Sequence, residues 1–470
     1  MSSADAIFFS SLAFLGGVAS ASFNLNFYIF ILITALVLFF LYFLKEIEFK
    51  KIALFSVALF FGIFYFHFWS NIRELGENLP FGREAEFQAE VMGEPRIFEK
   101  YAVVEAKIMD PFSGRIDLFL GPFSGLNYGD MVSARGVIEA PRSSGERAVA
   151  FFPQVSVIRE HQGYWLKGKL IDLKNFFIGN FKASLPPDEA SLLGGITFGS
   201  RSSFSSDLKD KMSLSGTTHI VALSGYNIAI LVFAISSFLG YFFSRRLTFY
   251  FTAVSIFIFV IMVGAEPSVV RAAIMGFLAL AAGEAGRIYN IKNAIAITAS
   301  AMVLINPFVL VYDIGFELSF VSLLGIVYLY PSLKNFLKSK DDGFMNWREI
   351  AVLTLSAQLA VLPIIVRTFG NFSLTSVLAN VLILEFIPLT MLLGFLLAAA
   401  SSIYFYLGFF VSKFAEVLLS YEIKIIEIFS GLRLPLYGGI YGSLVFVIVY
   451  YLFMVFFIAS YFPKGNANNK

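Results

Sequence analysis

The stretch HIVALSGYNIAILVFAISSFLGY, His219 to Tyr241, decides the architecture. It contains no Asp, Glu, Lys or Arg. A helix needs about 20 such residues to cross ~30 Å of hydrocarbon. Backbone polar groups find no partners in lipid, so a spanning segment of this kind must be helical. Downstream, comparable runs cover 248–263, 267–283, 293–311, 313–331, 349–367, a long broken stretch 376–407, and 440–462. Upstream lie 6–22, 27–44 and 51–69. Together they predict a polytopic α-helical membrane protein with about ten to twelve crossings. Composition agrees: 58% of residues are hydrophobic, only 14% are charged, and mean hydropathy is +0.77, whereas soluble domains carry about 25% charged residues. The first run, Ala6 to Ser22, lacks a basic leader and reads as a retained helix.

Between 69 and 219 the material changes. In Glu84–Val91 the acidic and amide side chains alternate with Ala85, Phe87, Ala89 and Val91. The alternation returns at Ala102, Val104, Ala106 and Ile108, at Ile116, Leu118 and Leu120, and at Val132, Ala134 and Ile138. Period-two runs split by Gly, Pro and Ser turns predict a small all-β domain of about five antiparallel strands. An OB-like barrel fits that number. The expected organisation is a three-helix membrane segment (1–70), the β domain (71–165), amphipathic and short linking helices (166–218), a second membrane domain (219–463) and a short tail (464–470).

Loop charges orient the chain. Lys45, Lys50 and Lys51 follow the second apolar run; Arg245 and Arg246, Arg287 and Lys292, and Lys334, Lys338, Lys340 and Arg348 follow later ones. Under the positive-inside rule all face the cytoplasm, which puts the N-terminus inside and the β domain outside. Lys464 and Lys470 join them if 376–407 crosses twice as two shorter helices. From 410 to 430, Lys413, Glu416, Ser420, Lys424 and Glu427 form a polar stripe on an apolar helix, which either lies flat in the outer interface or lines an aqueous path.

Net charge is only +2, so any nucleic-acid contact must be local. Cysteine is absent, which excludes disulfides and thiolate chemistry. Three separated histidines and no phosphate-binding Gly-rich loop leave no catalytic constellation, and neither a metal nor a cofactor site is expected. Polar groups within apolar spans are costly and mark pathways or pairs. His219, Glu266, Arg271, Asp313, Glu317 and Arg367 fall near the outer helix ends, while Asn227, Gln358, Asn380 and Glu385 lie deeper; Ser224 joins them as a polar lining residue. A water-filled cavity open to the outside explains this distribution. Bland readings exist beside it: Arg271 snorkels to the interface, Asp313 caps a helix, and Gly195 and Gly199 pack helices closely.

Four segments carry a resemblance: HIVALSGYNI (His219–Ile228), GAEPSVVRAAIM (Gly264–Met275), DIGFELSF (Asp313–Phe320) and QLAVLP (Gln358–Pro363), followed by Asn380. In order and spacing they resemble the ComEC family of competence proteins, as does the layout of nearly the whole chain. The resemblance implies a channel that passes single-stranded DNA across the bacterial cytoplasmic membrane in natural transformation, with an OB-like domain outside. It further implies a DNA receptor outside, a cytoplasmic ATPase or single-strand-binding protein inside, and contact with membrane lipid. Many members add a C-terminal metallo-β-lactamase-like domain. This sequence shows no ligand set for one, so a nuclease is expected to be a separate protein and the chain not an enzyme. Asn227 stands where the family more often has His, which weakens any proton transfer there. The alternative is a secondary transporter or flippase for a small anionic solute, with Ile387-Pro388 as a candidate helix break; a third reading is an assembly scaffold.

Overall fold

The computed structural model describes residues 3–23, 49–76, 78–98, 100–141, 146–200, 204–338, 347–369, 371–373, 375–432, 435–437 and 444–463. The expected span 27–44, Lys45–Glu48 of the loop after it, Lys340, and the tail with Lys464 and Lys470 lie outside these residues. The chain divides into two compact units, Met1–Leu173 with Leu231–Glu317, and Lys174–Ile230 with Leu318–Lys470.

In the first unit, α1 (Ser3–Ser22) packs on α2 (Phe49–Gly76). Gly17 lies against the backbone of Leu59, and Gly62 against that of Phe14, with no room for a methyl group at either. Such small-residue crossings let helices approach closely where lipid supplies no hydrophobic drive. Helix α2 runs to Gly76, past the end read from sequence at 69, because amphipathic residues carry it beyond the apolar run.

The β domain follows, with β1 (Glu84–Val91), β2 (Arg96–Ile97), β3 (Ala102–Asp110), β4 (Gly114–Leu120), β5 (Met131–Val137), β6 (Ala148–Phe151) and β7 (Gln154–Arg159). Seven strands replace the expected five, since the short β2 and the mostly exposed β7 carry little alternation to read. The order is β6-β4-β3-β1-β5-β7, with β2 paired to β3 and only β4–β6 parallel. A bridge from Glu139 to Val149 curls the sheet toward closure. Most of the predicted inward set is the core: Phe87, Ala89, Val91, Val104, Ala106, Ile108, Ile116, Leu118, Val132, Ala134 and Ile138 are all buried, while Ala85 at the end of β1 packs against them only partly buried. Each large apolar side chain so buried contributes about 1.5–3 kcal/mol.

After α3 (Trp165–Ser184) come α4 (Pro187–Phe198), α5 (Ser206–Ser215) and the single turn α6 (Thr218–Val221). The first long span of the second block is α7 (Gly225–Phe242), which begins six residues after the expected His219. The chain leaves the helix at Ala222-Leu223-Ser224, with Ala222 extended, and Ser224 caps the start of the new helix. Then follow α8 (Arg245–Met262), α9 (Pro267–Glu284), α10 (Ile291–Ile305) and α11 (Val309–Tyr312). Tyr312 Oη donates to the Ser22 carbonyl at 3.1 Å, which ties this turn to α1.

Helix α12 (Ile314–Leu324) continues through a π-turn at Gly325–Leu329 into α13 (Tyr330–Phe336). Pro331 has no N–H to give the preceding turn, and the wider turn before it absorbs that loss. Across from it, α14 (Trp347–Phe369) contains Pro363. A β-carbon on Gly325 would stand 2.5 Å from Ala360 Cβ and 2.9 Å from the Ser356 carbonyl oxygen, so only glycine fits this crossing.

Past a two-strand pairing of β8 (Asn371–Ser373) with β9 (Pro435–Tyr437), the remaining helices are α15 (Ser376–Leu384), α16 (Ile387–Ile403), α17 (Phe405–Gly431) and α18 (Leu444–Tyr461). Helices α15 and α16 form one bent pair, turning 51° immediately before Ile387-Pro388. Among the described residues seven helices are long and apolar enough to cross a membrane, or eight with the bent pair as one span, against the expected ten to twelve. The difference lies at 27–44, outside the described residues, and in the shorter apolar helices 291–305 and 445–461. The architecture is that of a polytopic helical membrane protein with a β domain.

Candidate functional site

In the first unit the chain folds two of the quoted motifs together. Glu266 precedes Pro267 at the start of α9, and its carbonyl accepts from Val269 N and Val270 N at 3.0 Å each. Asp313 Oδ1 accepts from Phe316 N at 2.8 Å, so its side chain caps α12, as the bland reading has it. Gly315 links the two starts: a β-carbon there would lie 3.8 Å from Pro267 Cγ. Arg271, one turn into α9, is buried, and Glu317, one turn into α12, is half-buried. Glu266, Arg271, Asp313 and Glu317 thus sit on the opening turns of two helices that begin side by side.

In the second unit, Ser224 Oγ donates to Asn227 Oδ1 (3.0 Å) and accepts from Asn227 N (3.3 Å), which closes the first turn of α7. Asn227 Nδ2 donates to the Ile196 carbonyl of α4 at 3.1 Å, and the residue is buried. The amide therefore ties α7 to α4. Packing tightens the same junction, since β-carbons on Gly195 and Gly199 would meet Val221 and Leu223 at 2.9 Å. His219 is exposed on α6. Gln358 sits mid-way along α14 with its Oε1 buried and without a hydrogen-bond partner among the described residues, and Arg367 is exposed near the end of that helix. Asn380 on α15 is 1% exposed, and neither its Oδ1 nor its Nδ2 has a partner among the described residues. A buried, unsatisfied amide costs about 1–3 kcal/mol unless a ligand or water meets it.

The polar stripe of α17 is largely occupied. Ser420 Oγ donates to Glu189 Oε1 of α4 at 3.0 Å, and Lys211 of α5 pairs with Glu427 at 3.1 Å. Lys413 pairs with Glu416 at 2.8 Å on the same helix. Asp207 and then Glu427 raise the Lys211 ammonium above its ordinary range, while Lys211 holds the Glu427 carboxyl below its own. The stripe's central and C-terminal positions dock α17 on α4 and α5. What sequence reading missed is Glu422, off the stripe and 0% exposed, whose Oε1 lies 2.5 Å from Thr390 Oγ1 of α16. Its signal was present as a charge outside the helical periodicity of the others.

On the β domain, the outward face of β3, β4 and β6 carries a row of rings. Centroids run Phe98 to Tyr101 at 4.8 Å, Tyr101 to Phe119 at 5.6 Å, and Phe119 to Phe151 at 4.9 Å. Beside them Arg147 bridges Glu105 (2.8 Å) and Asp117 (3.1 Å), which offsets part of the acid on that face.

With this geometry in hand, comparison with known proteins is decisive for the helical region. A profile described as Competence protein matches residues 196–463, more than half of the chain. The chain belongs to the competence protein family. The matched competence region starts in α4, at the Ile196 whose carbonyl holds Asn227, so the α4–α7 junction lies inside it. The competence chain is also similar to ComE operon protein 3 of Bacillus subtilis (strain 168), with 30% identity over 233 residues. That alignment covers 48% of this chain and 28% of the relative, so the chain spans well under two thirds of the length of the curated relative it matches. No solved structure matches it.

Proposed function

We propose that the chain forms a conduit that passes single-stranded DNA across the bacterial cytoplasmic membrane during natural transformation. The competence profile over 196–463 carries this reading. The strand connectivity supports the β domain as OB-like, with β1, β3 and β4 as a meander, β1 paired to β5, and β6 parallel to β4 and bridged toward β5. The positive-inside pattern supports placing it outside the cell. Bases stack on aromatic platforms with little regard to sequence, which suits the Phe98–Tyr101–Phe119–Phe151 row to an incoming strand.

In this reading Arg271, with Glu266, Asp313 and Glu317, and separately Arg367 and His219 fall near the outer ends of their helices, where the two arginines offset phosphate charge. Of the deeper polar groups, Gln358 and Asn380 keep unsatisfied amide atoms for the strand, while Ser224 and Asn227 hold the start of α7 against α4. So few cations give binding weak enough to release, as conduction requires. The chain acts without a cofactor and is not itself an enzyme. A DNA receptor outside, an ATPase or single-strand-binding protein inside and a separate nuclease supply the remaining steps. Reversing both charges, Arg271→Glu with Arg367→Glu, is expected to abolish internalisation while the protein still inserts; unchanged uptake would refute the pathway.

A second reading, transport of a small anionic solute, draws on the 51° break and the unsatisfied Asn380 amide beside it in sequence. Vesicles holding the purified protein separate the two: the first reading predicts passage of a labelled oligonucleotide, the second passage of small anions only.

A further inference from the structure

Helix α17 touches both arms of the bend between α15 and α16. On α17, Tyr421 Oη donates to the Leu382 carbonyl of α15 at 3.1 Å, and its ring packs edge-on against Phe386 at 5.2 Å. The next residue, Glu422, reaches the first turn of α16 through Thr390. Residues 421 and 422 therefore grip both arms of the bent pair.

Counting hydrogens at this grip fixes the form of the carboxyl. Thr390 Oγ1 lies 2.5 Å from Glu422 Oε1 and 3.2 Å from the Phe386 carbonyl oxygen, and a hydroxyl has one hydrogen to give. If Glu422 is a neutral acid it donates to Thr390 Oγ1 and Thr390 donates to Phe386, so both contacts carry a hydrogen and the orphaned Oε2 is an uncharged carbonyl oxygen. If it is a carboxylate, Thr390 must turn to it, and a full charge sits at 0% exposure with Oε2 lacking any partner among the described residues.

Among the described residues no cation is paired with Glu422. Helices α15 and α16 carry no ionisable residue between Ser376 and Leu384 or between Ile387 and Ile403, and Glu385 at the bend is acidic. On α4 the charged groups are Asp188 and Glu189, the latter taken by Ser420. On α5 they are Asp207, Lys209, Asp210 and Lys211, with Lys211 engaged by Asp207 and Glu427. On α17 itself Lys413 pairs with Glu416, and Lys424 with Glu427. An uncompensated buried charge is avoided by taking up a proton.

We propose that Glu422 is a proton-binding site that latches α17 to the bend between α15 and α16, closed when protonated and loosened when the proton leaves. The proton bridges Glu422 Oε1 and Thr390 Oγ1, and departs to water as the helices part. Helix α17 is not among the helices apolar enough to cross the membrane. Burial pushes this carboxyl up to about 8, with the Thr390 contact opposing. The sign follows from linkage: a raised carboxyl stabilises the closed packing fully below the ordinary value of 4.5 and loses that contribution as pH climbs through about 8. The inference stands whether or not the chain conducts DNA.

Infrared spectra and hydrogen exchange of the full chain in lipid nanodiscs test it. At pH 7, wild type minus Glu422→Gln is expected to show a protonated-carboxyl C=O band, which disappears by pH 9. Exchange protection of 382–392 and 415–426, corrected for intrinsic rates, is expected to fall by up to about tenfold per pH unit between pH 5 and 8. Glu422→Gln, whose amide still donates to Thr390, is expected to flatten that profile. Absence of the band at pH 7, or a pH profile unchanged by the substitution, overturns the proposal. If Glu422→Gln does not fold, Thr390→Val replaces it in the spectral difference: a band shifted upward in frequency supports the latch, and an identical spectrum refutes it.

Discussion

Two side chains show how single polar atoms are accounted for where water is scarce. Pro363 cannot donate to the carbonyl four residues back, Leu359, and Tyr450 Oη of α18 donates to it instead at 2.9 Å; Tyr451 Oη does the same for Ala360 at 3.0 Å. Tyr450→Phe is therefore expected to lower thermal stability by about 1–3 kcal/mol through one orphaned carbonyl. Circular dichroism melts of the purified protein check this, with Tyr450→Leu costing more through lost packing. Asn227→Ala removes the α4–α7 tie and is expected to cost a similar amount, about 1–3 kcal/mol. Asn227→Gln fails to rescue it if the geometry is as tight as the Gly195 and Gly199 contacts imply. Sequence alone marked Asn227 as polar in an apolar run, and so as noteworthy. That its partner is a backbone carbonyl 31 residues earlier was not legible, because tertiary pairing leaves no local pattern.

At the scale of the element, periodicity was read well wherever one face is buried and the other wet. The inward residues of β1, β3, β4 and β5 are those the alternation picks out, since a one-residue slip would expose every one of them. Periodicity failed at α6–α7, where an unbroken apolar run hides the non-helical Ala222-Leu223-Ser224 segment. Helix α17 shows both outcomes: its stripe was legible, but the stripe's use in docking on α4 and α5 was not. Its pH response follows from opposite shifts. The depressed Glu427 carboxyl supports the α5 contact above its unfolded pKa and loses it as pH falls through the acid range, whereas Glu422 works in the other direction. Exchange protection of α17 is thus expected to peak between these limits, and raised salt to erode the acid limb alone, because the Lys211–Glu427 pair is reached by solvent and Glu422 is not. On the β domain, Tyr101→Ala with Phe119→Ala is expected to weaken single-strand binding by about 1–3 kcal/mol per base unstacked, measured by fluorescence anisotropy with the full chain.

For the whole molecule, the membrane architecture follows from charge-free runs of spanning length, and four ordered motifs anticipated the family that the profile over 196–463 establishes. The quoted polar residues divide between the two compact units, with Glu266, Arg271, Asp313 and Glu317 in one and His219, Ser224, Asn227, Gln358, Arg367 and Asn380 in the other. The most direct test of the central claim is uptake of end-labelled DNA by a transformable host lacking this gene, complemented with wild type or with the Arg271→Glu, Arg367→Glu pair. The conduit reading predicts that the deletion strain keeps DNA bound at its surface but internalises none, and that only wild type restores entry. Internalisation undiminished in the deletion strain would contradict it.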